Sequence, residues 1–138
     1  MSDQNRPVCI FECSSNTYTD CVQKGLFGSN LPWPLQVKLR DLCFLYHYEV
    51  SGLFGVWRAE CDGARNIVPK VWGGRFPFQV KVRLISPDIV EIPKNIVTTI
   101  AATSTNGRLD NLLDARRAAE LFKWVSGLKL EMAQQKTS

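Results

Sequence analysis

The side chains able to do covalent or metal chemistry are few. Five cysteines (Cys9, Cys13, Cys21, Cys43 and Cys61) and one histidine, His47, occur in 138 residues. A hydrolytic triad needs a nucleophile and a base. The lone histidine, however, sits inside the apolar run Leu42–Tyr48, where a packed core imidazole is expected instead of a base. No GxxxxGK[ST] loop offers a phosphate cradle. Glu49, Glu60 and Asp62 lie amid basic residues and read as solvated strand ends, not as an acid–base pair. Catalysis is therefore not expected.

The cysteines are odd in number and none is spaced CxxC, so a disulfide framework is not expected. Cys9 and Cys13 fall on an expected strand, where four residues span about 13 Å, too far for a bridge. A zinc set of Cys13, Cys21, His47 and Cys61 has no motif behind it. Buried thiols acting as small hydrophobes are the preferred reading, with no metal and no cofactor.

What remains is aromatic and basic. The net charge is +4, and all of it lies between Leu35 and Arg83, where eight basic residues face four acidic ones. Trp57 and Trp72 lie in the same stretch, and Trp33 lies just before it. Aromatic rings beside cations form a stacking platform next to a phosphate track. Trp57 falls on a strand and should pack, and Trp124 should lie against the body or half-exposed. Trp72, flanked by Lys70 and Arg75 and followed by Gly73-Gly74, is the best ligand candidate. Gly28 and the glycine pair either make turns or let a ligand approach the backbone. Lys81 and Arg83 are either a solvated strand face or phosphate contacts.

These residues must be positioned by short strands and two helices. Val8–Glu12 reads as a buried strand. Thr17-x-x-Asp20 suggests a capping box opening a helix from about Tyr18 to Lys24, stopped by Gly25. Leu26–Pro34 reads as a loop stiffened by two prolines and exposing aromatics. Leu42–Tyr48 is a strand buried on both faces, and Ser51-Gly52 turns it into the strand Leu53–Cys61. Asn66–Gly74 reads as a long loop. Phe78–Leu84 alternates, with Gln79, Lys81 and Arg83 on the outer face. Ile89–Ile92 and Ile96–Ile100 are expected short strands. Asn111, with Asp114 at N3, should cap a helix whose apolar stripe runs from Leu112 to Val125 and ends at Gly127.

The expected class is thus α+β: a twisted or barrel-like mixed sheet flanked by a short N-terminal helix and a longer C-terminal one. Residues 1–7 should form a flexible N-terminus, 8–128 a single domain and 129–138 a tail. No apolar run approaches a membrane span, and the polar start lacks a signal-peptide core. The expected location is cytoplasmic.

Several motifs occur in order. They are Gly25-Leu26-Phe27-Gly28, Cys43-Phe44-Leu45, Leu53-Phe54-Gly55-Val56, Asn66-Ile67-x-Pro69-x-x-Trp72 and Pro77-Phe78-Gln79-Val80. Together they resemble the plant DCD (development and cell death) domain, whose FGLP-like, LFL-like and PAQV-like segments match Phe27–Asn30, Cys43–Leu45 and Pro77–Val80. A PLxE-like segment has no clear counterpart, Glu91-Ile92-Pro93 being its nearest remnant. DCD domains are similar in turn to EVE and YTH domains, all of PUA-like fold, which implies binding of RNA or modified nucleobases in an aromatic pocket. Phe27 stands where YTH domains place a pocket aromatic, and Ser14-Ser15-Asn16 follow the first strand as in that family.

The resemblance implies a base held between Phe27 and Trp72 beside Gly28 and Ser29. Ser14, Ser15 and Asn16 would meet the base edge. Lys70, Arg75, Lys81 and Arg83 would meet phosphate of RNA or single-stranded DNA. The rival expectation is a protein-interaction domain whose exposed Leu31-Pro32-Trp33-Pro34 loop anchors a partner through Trp33.

Overall fold

The computed structural model describes residues 6–50, 52–86, 89–101 and 109–123. Val8–Cys13 forms β1, and its alternation is buried on both sides. Val8 and Ile10 point to one core, while Cys9, Phe11 and Cys13 point to a second. Leu42–His47 (β3) does the same, with Phe44 in the first core and Cys43 and Leu45 in the second. This two-sided burial explains why both strands read as nearly unbroken apolar runs. They pair in parallel, Cys9 opposite Cys43 and Cys13 opposite His47.

The connection between them carries α1 (Ser15–Lys24), β2 (Leu26–Ser29) and a short 3-10 turn, Trp33–Gln36. α1 starts earlier than the Thr17–Asp20 spacing suggests. Ser14 is the N-cap, and its backbone N–H donates to Thr17 Oγ1 at 3.0 Å. The helix stops at Gly25, as expected, with φ of 59°. A side chain there would also strike the Val82 carbonyl oxygen.

Leu26–Ser29 is a strand and not part of a loop. It pairs antiparallel with β6 (Phe78–Leu84), Phe27 opposite Val80 and Gly28 opposite Gln79. Four residues carry little periodicity of their own, so only the partner strand reveals this one.

β4 (Gly52–Ala59) joins β3 to β6, and the sheet order is β2-β6-β4-β3-β1-β8, where β8 is Leu112–Leu113. β5 (Ala64–Arg65) pairs with β6, and β7 (Val90–Ile92) pairs with β4. The sheet curls until its far end returns to β1: the Phe11 and Phe27 rings lie 5.4 Å apart. The result is a mixed, curled half-barrel within an α+β fold, with helices packed on it. α1 contributes Cys21 to the core containing Trp57, which is only 3% exposed, as its strand position predicted.

Two expectations for the C-terminal half change. Ile96–Ile100 is not a strand but part of α2 (Lys94–Ala101). Val97 and Ala101, four apart, are its buried face. Asn111 does not cap the last helix. Its Nδ2 donates to the Ile10 carbonyl at 2.8 Å, and Leu112–Leu113 (β8) pairs with β1. The helix α3 covers residues 115–123, with Asp114 Oδ1 accepting from the Arg117 N–H at 2.9 Å. Trp124, Val125, Gly127 and the expected tail lie outside the described residues. No helix among the described residues is long and apolar enough to cross a membrane.

Candidate nucleic-acid interface

The seam where β2 returns to β1 is the place where the aromatic and basic residues meet. Phe27 points inward. It is fully buried, 5.4 Å from Phe11 and 5.2 Å from Trp57, ring centre to ring centre. It is therefore not an open pocket wall in this conformation, because three rings enclose one another beneath the seam. Trp33 joins the same stack at 4.5 Å from Phe11. This packing leaves Trp33 partly buried, while Leu31 and Pro32 of the same loop are exposed. Leu31 and, just beyond the loop, Leu35 and Leu39 are exposed apolar side chains.

The loop carrying Trp72 is held over β6 by one residue. Gln79 Oε1 accepts from the Val68 N–H at 2.8 Å, and Nε2 donates to the carbonyls of Val68 and Phe76 at 3.2 and 3.0 Å. Alternation alone puts Gln79 outside with Lys81 and Arg83, yet it is 1% exposed. The loop it clamps covers it.

Within the loop Trp72 sits at φ 54°, followed by Gly73 at 64° and Gly74 at 76°. The left-handed region suits glycine and strains an L residue. The partly buried Trp72 ring meets Phe76 edge-on at 5.9 Å. A Cβ added to Gly28 would lie 2.8 Å from that ring, so the absence of a side chain at Gly28 is what lets Trp72 close the seam. Its indole N–H is buried and has no acceptor among the described residues.

Arg75 stands beside it, with Nε donating to the Trp72 carbonyl at 3.3 Å and the guanidinium 5.5 Å over the Phe76 ring. Lys70, Lys81 and Arg83 are exposed, and Arg83 faces Glu60 at 3.5 Å. The remaining cleft is about 70 Å³, lined by Glu12, Gly28, Ser29, Asn30, Trp33 and Phe76. That is well under the ~300 Å³ of a typical ligand pocket.

Ser14, Ser15 and Asn16 are grouped with other residues, around the start of α1. The Ser15 N–H donates to Glu49 Oε1 at 2.7 Å, and Ser15 Oγ lies 3.4 Å from His47 Nε2. A hydroxyl beside an imidazole outlines a nucleophile and base. But His47 Nδ1 is buried with no partner among the described residues, so no acid orients the ring as a triad requires. Glu49 instead serves the helix N-terminus, where a carboxylate is favoured.

Burial, with Cys21 and Glu49 nearby, pushes the Cys13 thiol far up, and burial raises Cys21 to about 12. Both stay protonated at neutral pH. No group of three or more His, Cys, Asp or Glu converges among the described residues.

Comparison with known proteins agrees with this architecture. Among solved structures, the YTH domain of Zygosaccharomyces rouxii MRB1, in complex with N6-methyladenosine RNA, superposes with a TM-score of 0.60 at 16% identity. That match covers 86% of each chain. The YTH domain-containing protein mmi1, solved with RNA, gives 0.70 at 8% identity, covering 95% of this chain and 88% of that one. The apo Toxoplasma CPSF4-YTH domain gives 0.63 at 17%, covering 89% and 87%. Identities this low establish the shared fold.

By sequence, the soybean (Glycine max) DCD domain-containing protein NRP-A is 34% identical over 85 residues, 53% of this chain and 23% of its own length. The B2 protein of Daucus carota is also 34% identical over 85 residues, covering 53% of this chain and 40% of its own length. The chain thus spans well under half of these relatives. Residues 8–123 match the development and cell death domain; the chain belongs to that family.

Proposed function

We propose that this domain is a non-catalytic module that binds RNA, or a modified nucleobase within it, at the seam closed by Trp72. The observation that carries the reading is the state of Trp72 itself. A non-glycine residue in the left-handed region costs roughly 1–3 kcal/mol, and a buried N–H without an acceptor costs about 1–3 kcal/mol more. Both fall on one residue, its ring seated over a glycine at the mouth of a half-barrel. Displacing the indole relieves the orphan donor and opens the space toward Phe27.

A nucleobase offers what this site lacks: a flat face for the indole and acceptors for its N–H. Lys70 and Arg75 flank the entry and meet phosphate, with Lys81 and Arg83 further along β6. Ser14, Ser15 and Asn16 reach a base edge only in a ligand that extends to the start of α1. The RNA seen with the YTH domains of MRB1 and mmi1 supports the ligand class. A cytoplasmic location, without membrane attachment, belongs to the same reading.

The test is a titration with single-stranded RNA at two ionic strengths. Affinity should fall steeply with salt, log K by about 0.7 per log unit for each phosphate contact. Absence of binding at low salt counts against the proposal.

A second reading is a protein-docking loop. It rests on Leu31, Leu35 and Leu39, 56%, 44% and 53% exposed. Replacing the three by serine should then abolish capture of a protein partner and leave RNA binding unchanged.

A further inference from the structure

A larger concavity shares no lining residue with the seam cleft. It measures about 750 Å³ and lies between the Arg40–Leu42 segment and α3. That volume is within the ~300–1,000 Å³ of small-ligand sites. The floor is apolar, with Val8, Leu42, Ala118 and Phe122 on it. The Phe122 ring is partly buried and lies 6.0 Å from Phe44.

The rim is cationic. Arg6 is tied to Asp41 by contacts of 2.8 and 3.1 Å. Arg40 and Arg58 are exposed and have no carboxylate partner among the described residues. Strand pairing sets Arg58 opposite Leu42 on one side and opposite Arg83 on the other, which carries positive charge from the groove onto β6.

Arg40 is the unusual member. It is the third residue of the Lys38–Asp41 turn, closed by the Asp41 N–H on the Lys38 carbonyl at 2.9 Å, and its φ is 77°. Glycine or asparagine is the ordinary occupant of such a position. A strained arginine where glycine would sit freely points to a use for its guanidinium.

The occupant follows from charge. The chain's own segment 124–138 carries Lys129 and Lys136 against Glu131, so it does not complement a cationic rim. Phosphate does, because the guanidinium fork matches its oxygens.

We propose that this groove is a second contact site for single-stranded RNA, with a phosphate between Arg40 and Arg58 and a base against Phe122 and Leu42. The ligand class rests on the seam reading; the site is independent of it.

The test measures binding of a fluorescein-labelled, short single-stranded RNA to the full chain between about 50 and 200 mM salt. Three variants accompany it: Arg40→Gln/Arg58→Gln, Arg58→Lys and Trp72→Ala. The double variant should bind at least about tenfold more weakly at low salt and lose about 0.7 from the salt slope, the share of the one phosphate held between the two arginines. Arg58→Lys, which keeps the charge, should retain the wild-type slope, and thermal melts should show all three folded. Trp72→Ala should weaken binding at an unchanged slope.

Wild-type affinity and slope in the double variant overturn the groove, and they leave the seam standing if Trp72→Ala still weakens binding. A chain that binds no RNA at low salt overturns both. Tighter capture of an oligoglutamate peptide than of RNA, lost in the double variant, also overturns the proposal by making the groove a peptide site.

Discussion

Truncating Trp72 separates a ligand-facing ring from a structural one. Trp72 is partly buried, against Phe76 and Gly28, while Trp57 is 3% exposed and packed on Phe27. Removing a core aromatic costs about 3–5 kcal/mol in lost transfer energy and cavity, and that range applies to Trp57→Ala. Both indoles bury an N–H without an acceptor, so the relief of about 1–3 kcal/mol on removing it is common to both variants and cancels between them. The left-handed φ of Trp72 strains alanine as it strains tryptophan.

What differs is burial. With part of its ring already in water, Trp72→Ala should cost at most ~1 kcal/mol. The two variants should therefore differ by at least about 2 kcal/mol. Urea unfolding of the wild type and both variants, analysed at constant m, measures that difference. Equal destabilisation by the two substitutions would refute the reasoning, because Trp72 would then be an ordinary core residue.

Gly28→Ala places a methyl 2.8 Å from the Trp72 ring and 3.1 Å from the Phe76 carbonyl; it should displace the indole and raise Trp72 solvent exposure, read as a red shift of fluorescence. A thiol reagent should titrate Cys61 in the native protein and all five cysteines only in denaturant, since the other four are buried. For Cys13 and Cys21, whose native pKa values are raised, the stability is full below the ordinary thiol pKa near 9 and declines as pH rises above it; melts from neutral to alkaline pH should show that loss.

Asp114 behaves oppositely. The Arg117 backbone N–H lowers its pKa, so its support for α3 is present above the ordinary value of 3.8 and is lost as pH falls through the lowered one. Asp114→Asn should keep the cap and remove that acid dependence, as followed by helical circular dichroism.

The parts of the fold legible in the sequence are those where one strand carries its own pattern. β1, β3 and β6 announce themselves through unbroken or alternating apolar residues, and Gly25 marks the end of α1. The family resemblance was legible in the order of short motifs around them. β2 was hidden because four residues show no period until Val80 and Gln79 pair with them. α2 reads as a strand from its sequence because Ile96, Val97 and Ile100 are β-formers by propensity, although Val97 and Ala101 are spaced for a helix. Asn111 carries a capping residue's chemistry but spends it on the Ile10 carbonyl.

At the site, the Trp72 loop and its basic flank were readable from composition. The inward turn of Phe27 and Trp33 was not, since it depends on the sheet closing upon itself. Gln79 gave one usable signal: a polar residue inside a motif recurring in order across the family resemblance, which fits a buried clamp better than a solvated face.

The central claim, that a base meets Trp72 at the seam, is tested most directly by the indole N–H resonances of the 15N-labelled domain during titration with single-stranded RNA containing N6-methyladenosine. The Trp72 signal, identified by its loss in Trp72→Phe, should shift strongly because its unpaired donor acquires a partner, while the buried Trp57 signal moves little. A titration that leaves the Trp72 indole unmoved at saturating RNA would contradict the account.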